Sequence, residues 1–191
     1  MIRLIILFAT LAIALPFVIA KGALPFGTAV SQRFLERETN DGDPRFTIPP
    51  EAKTGDKLGT STLAMWVHAN ADLAGGYARH VIPLDIVYLV CLGLFLAMAS
   101  VTLRDLTEGP SFLSHIPIWV CWLLPCVYIA CDLSEDLLIV LLLTWPATIE
   151  GVAFQALSLV RNVKIASGGL AFIQVLLLCV ASYIWPATAK P

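Results

Sequence analysis

The stretch Cys131–Lys164, CDLSEDLLIVLLLTWPATIEGVAFQALSLVRNVK, decides the fold. Asp132, Glu135 and Asp136 interrupt an apolar run from Phe112 to Trp145, and Arg161 and Lys164 interrupt a second run from Gly151 to Trp185. Three bare carboxylates at a bilayer centre would cost roughly 7–10 kcal/mol, at about 2.5–3.5 each, so they require compensation. Counting outward from a turn centred between Ala147 and Thr148 puts Asp132 level with Val163, and Glu135 and Asp136 level with Val160 and Leu159. An antiparallel helical hairpin therefore brings the acidic and basic sites together. On a helix the three carboxylates share one face, since Glu135 and Asp136 follow Asp132 at i+3 and i+4.

The rest of the chain sets this hairpin in a membrane. Apolar residues of the AVILMFWYC set make up 58% of the sequence and charged residues 14%, against about 25% charged in soluble domains. The chain is thus expected to be an integral membrane protein. A net charge of −2 and the lack of a Lys/Arg run exclude a nucleic-acid partner. Cys91, Cys121, Cys126, Cys131 and Cys179 all lie in apolar runs, where a thiol behaves as a small hydrophobe, and imply no disulfide framework. The five-residue steps from Cys121 to Cys126 to Cys131 turn a helix by about 500° each and do not converge on a metal.

Hydropathy predicts an all-α membrane protein with four transmembrane helices. Leu4–Ala20, within a first segment 1–20, reads as a retained first span with Arg3 holding the N-terminus inside; a cleavable signal peptide is the alternative. Segment 21–80 is an extracytoplasmic loop or cap, 81–103 the second span, and 104–111 a cytoplasmic loop. The third helix is 112–145 and the fourth 150–186, leaving 187–191 as a tail. Lys21–His80 carries seven Lys/Arg and seven Asp/Glu, and its centre, TNDGDPRFTIPPEAKTGD, is dense in turn formers. Two short helices flank that centre, Thr28–Glu38 and Ser61–Leu73, the second with Asn70 interrupting its apolar stripe.

A helix from Phe112 to Trp145 would be about 51 Å long, well over the roughly 30 Å hydrocarbon core. The third and fourth helices are therefore expected to project outside the bilayer, where Lys21–His80 covers them. One polar layer then forms at the outer rim from Asp85, Asp132, Glu135, Asp136, Arg161 and Lys164, with Arg79 or His80. The competing reading makes Cys131–Asp136 a tight turn between two ordinary spans, five in all, although CDLSED contains no Gly, Pro or Asn.

The layer has a structural and a functional reading. Structurally, Arg161 and Lys164 pair with the carboxylates and fix the register of the hairpin. Functionally, clustered carboxylates retain protons and offer oxygen ligands, which suits a cation or proton site. His68, His80 and His115 are not spaced as metal ligands, and no HExxH, GxSxG, P-loop or CxxC pattern occurs. No catalytic, cofactor-binding or metal residue is assigned. Ala166, Ser167, Gly168 and Gly169 form a small-residue packing patch. Trp119, Trp122, Trp145 and Trp185 suit interface anchors.

GGYARHVIPLDIVYLVCLGLFLA, CDLSEDLLIVLLLTWP and SLVRNVK together resemble a group of uncharacterised bacterial four-helix inner-membrane proteins. The group's pattern is an Asp in helix two, Asp-x-x-Glu-Asn in helix three, a following Pro and a basic residue before helix four. The matching positions are Asp85, Asp132, Glu135, Pro146 and Lys164, with Asp136 standing where the group has Asn. The resemblance spans roughly the last 120 residues and implies a topology, not an activity. The expected role is a non-catalytic accessory or interaction subunit whose partners are the lipid bilayer and another membrane protein or a second copy. A cation- or proton-handling protein is the alternative.

Overall fold

The computed structural model describes residues 2–22, 30, 53–54, 57–58, 60–107, 116–150 and 152–185. Most of Thr28–Glu38, the turn-rich centre beside it, His115 and the tail lie outside the described residues. What is described is almost entirely helical: α1 (Ile2–Gly22), α2 (Thr60–Ala69), α3 (Ala71–Gly76), a π-helical segment (Tyr77–Val81), α4 (Ile82–Asp105), α5 (Ile118–Thr144), a 3-10 turn (Pro146–Glu150) and α6 (Val152–Ile184). A minimal antiparallel pair, Lys53–Thr54 with Lys57–Leu58, is the only extended structure among the described residues.

Three helical stretches, Ile2–Gly22, Ala71–Asp105 and Gln155–Ile184, are long and apolar enough to cross a membrane, and the protein is a membrane protein on that ground. α5 has 27 residues, about 40 Å of helix, and carries the three carboxylates. It runs unbroken through Cys131–Asp136, so that segment is not a turn and the five-span reading loses its basis. α5 starts at Ile118, directly after Pro117, rather than at Phe112.

The second flanking helix is split. Asn70 falls between α2 and α3 and donates its side-chain amide to the Trp66 carbonyl at 2.9 Å, competing with the helix for a backbone acceptor. Downstream, Pro83 brings no N–H and would crowd a carbonyl four residues back. The helix widens just before it. Ile82 N–H bonds to the Tyr77 carbonyl, five residues earlier, which is the π-helical register.

The chain forms two compact units, and each long helix contributes to both. Unit one comprises 1–15, 87–133 and 160–191. Its core is Leu92 and Leu96 of α4, Tyr128 of α5 and Ala171 of α6, with Ala12 of α1 packed against it. Close approach depends on glycine: a Cβ at Gly93 would overlap Cγ1 and Cδ1 of Ile129, and one at Gly168 would sit 3.1 Å from the Tyr128 ring. The small-residue patch thus packs through Gly168, while Gly169 faces open space.

Unit two comprises 16–86 and 134–159. Val30, Leu63, Trp66, Val67 and Ala74 join Ile139, Leu142 and Leu143 of α5, Ile149 of the 3-10 turn and Leu157 of α6 in one buried cluster. Residues of the polar Lys21–His80 region therefore cover the apolar LLIVLLL stretch. The 3-10 turn presents Ile149 to α2. Thr148 stabilises the turn by donating both its hydroxyl, at 2.7 Å, and its backbone N–H, at 2.9 Å, to the Trp145 carbonyl.

Candidate functional site

The acidic side chains lie in the packing face of α5. Tyr128, Asp132, Glu135, Asp136, Ile139, Leu142 and Leu143 recur at helical spacing and are all buried, whereas Leu133 and Leu137 between them are exposed. Asp132, Glu135 and Asp136 are 1%, 4% and 2% exposed. At that burial a carboxylate needs a specific partner.

In unit one, Lys164 of α6 brings its ammonium to 2.5 Å from Oδ1 of Asp132, as a charge contact rather than an aligned hydrogen bond. Lys164 is one residue away from the level given by the turn count. Its side chain is 26% exposed against 2% for that of Asp132, so the pair is buried on its acidic side only. In unit two, Asp85 stands in the first turn of α4. Its carboxylate comes within 4.8 Å of that of Asp136.

His80, Asp85, Glu135, Asp136, Arg161 and Lys164 are all engaged within the protein. Arg79 and His80 are exposed. Among the described residues no hydrogen bond or ion pair engages the Arg79 guanidinium. Two carboxylates as close as Asp85 and Asp136 can share a proton or offer hard oxygen ligands. Among the described residues no histidine or cysteine joins a metal-ligand group.

A second polar node was not foreseen from the sequence. Gln174 of α6 donates its amide to the Ser100 hydroxyl of α4 at 2.9 Å and to the Cys121 carbonyl of α5 at 3.2 Å. The cause is Pro125. A proline inside a helix leaves the carbonyl four residues earlier without its donor, and that carbonyl belongs to Cys121. In an apolar medium such an orphan needs a side-chain donor, which Gln174 supplies while tying three helices of unit one together. The available signal was the one amide in the apolar part of α6 after Lys164 together with a mid-helix proline in α5. Comparisons of the chain with protein-family models, with curated proteins and with solved structures find no match.

Proposed function

We propose that this chain is a non-catalytic subunit of a bacterial inner-membrane assembly, one that holds another integral membrane protein along its apolar helix surface. In this reading α1, α4, α5 and α6 form a four-helix bundle. α5 and α6 project beyond the bilayer, and the Lys21–His80 region caps them on the extracytoplasmic side. The likeness to bacterial four-helix proteins supports the setting. The length of α6, 33 residues or about 50 Å against a hydrocarbon core of about 30 Å, supports the projection.

The observation that carries the reading is α1. From Leu4 to Ala20 it is apolar apart from Thr10, yet none of its residues is fully buried, and among the described residues it lends only Ala12 to the flank of a core cluster. Helices in a bilayer associate through close packing and hydrogen bonds, not through hydrophobicity, because lipid is as apolar as leucine. A span with so little packing on its own chain is suited to pack on another. Photo-crosslinking residues placed one at a time at Ile6, Ile13 and Phe17 in cells should give a discrete protein adduct from one face of α1. Lipid adducts from every position would sink the proposal.

The closeness of Asp85 and Asp136 favours a second reading, a cation or proton site. That reading requires the carboxylate oxygens themselves, whereas a scaffold requires only charge balance. We expect melting of the detergent-solubilised protein to be insensitive to millimolar Ca²⁺, Mg²⁺ or Zn²⁺. A metal-induced stabilisation that disappears in Asp85→Asn would establish the second reading instead.

A further inference from the structure

Unit two contains a cavity of about 530 Å³, within the range of about 300–1,000 Å³ typical of small-molecule sites. Its origin is legible in the residues. Ala71, Ala74, Gly75 and Ala78 recur at i, i+3, i+4 and i+7, so one face of α3 and the π-helical segment is almost without side chains. Across from it, Val140, Leu143 and Thr144 of α5 form the facing wall. The small residues cannot fill the space between, and a Cβ built at Gly75 would meet nothing within 4 Å.

The polar lining carries one full charge, a positive one. Arg79, His68 and Thr144 border the cavity, and no acidic residue lines it. Arg79 sits within the π-helical turn, a distortion that recurs at functional sites. Pro83 can donate to neither the Ala78 nor the Arg79 carbonyl, so the turn that carries the guanidinium also lacks a backbone donor. Two residues after Arg79, at Val81, the sequence reading begins the second span, an apolar stretch broken only by Asp85 within its first turn. In the proposed topology, with the second span starting at Val81, a cation there stands at the outer end of the span, near the depth of lipid phosphates.

We propose that this cavity binds one anionic phospholipid, with an acyl chain against the alanine, glycine and valine walls and the phosphodiester at Arg79 beside His68. Charge complementarity selects the headgroup, the small-residue face admits the chain, and the guanidinium, which no group among the described residues engages, is the anchor.

The test uses the purified full chain, delipidated in a mild detergent, with bound lipid counted by native mass spectrometry. The probes are phosphatidylglycerol and phosphatidylcholine with identical chains, and free glycerol phosphate. Phosphatidylglycerol should bind as a single copy about tenfold more tightly than phosphatidylcholine, whose phosphodiester is the same but whose choline cation is repelled by the guanidinium. Arg79→Gln, at an exposed position that should not disturb folding, should abolish that preference and leave the weaker chain-driven binding. Gly75→Phe, which adds a ring to open space, should remove both while circular dichroism stays unchanged; Gly75→Leu serves if the phenylalanine variant does not fold. Arg104→Gln, the same loss of charge away from the cavity, should behave as the unsubstituted protein. Equal binding of the two lipids, preference retained in Arg79→Gln, binding unaffected by filling at Gly75, or glycerol phosphate competing as well as the whole lipid would each overturn the proposal.

Discussion

Single residues decide how charge and polarity are tolerated inside this protein. Asp132 is buried and Lys164 reaches it from the neighbouring helix, so Lys164→Met should leave an uncompensated carboxylate. Removing one member of a buried pair costs about 3–5 kcal/mol, and the partial exposure of Lys164 places the loss toward the lower end. Asp132→Asn combined with Lys164→Met should recover part of it. A coupling energy near zero in that double-mutant cycle, measured by reversible unfolding in mixed micelles, would show the contact to be energetically idle. Gln174→Leu should be comparably instructive. It strips the Cys121 carbonyl and the Ser100 hydroxyl of a shared donor, for an expected loss of about 1–3 kcal/mol. Ser100→Ala should cost less, because Gln174 keeps the carbonyl. Equal losses in the two variants would remove Pro125 from the explanation.

At the scale of elements, prolines and glycines do the shaping. Pro83 follows the π-helical turn, Pro125 sits inside α5 and calls for an amide from α6, and Pro117 precedes α5. Glycine sets how closely α4 approaches α5: any side chain at Gly93 would overlap Ile129. Gly93→Leu should therefore destabilise unit one by about 1–3 kcal/mol through overpacking, and Ile129→Ala in the same molecule should relieve much of that loss. Absence of rescue in thermal melts would mean that the clash relaxes by another route. The split between α2 and α3 belongs to this scale too. Asn70 stands in the sequence as a flaw in an apolar stripe, and in the structure as the point where one helix ends and the next begins.

For the whole molecule, the proposed topology puts both termini in the cytoplasm and Lys21–His80 outside, following Arg3 and Arg104 on the inner side. Cysteine labelling from outside intact cells tests it, with the exposed native Cys126 and Cys179 replaced by serine. A cysteine at Thr60 should react and one at Leu106 should not. Leu106 is 52% exposed, whereas neighbouring Thr107 is buried and bonded to the Leu103 carbonyl, so Leu106 is the informative inner position. The reverse pattern would invert the protein in the membrane.

The sequence by itself determined the class and the approximate places of the long helices, though not the start of α5 at Ile118 or the split of Ser61–Leu73 at Asn70. Hydropathy is a sum over neighbours along the chain, and Pro146 ends a helix by local chemistry, so both are legible without tertiary information. It also determined that the carboxylates of Asp132, Glu135 and Asp136 share a face, because the helical period is fixed by backbone hydrogen bonding. Only the tertiary structure decided that Lys164 takes Asp132, that Gln174 serves the carbonyl orphaned by Pro125, and that an alanine and glycine face borders an open cavity beside Arg79. Each of these depends on how a helix is rotated about its own axis and on what a remote segment places opposite it. Axial counting along a hairpin gives depth but leaves that angle free. Contacts such as those of Gln174, 53 and 74 residues distant in sequence, are fixed by the packing of the whole unit.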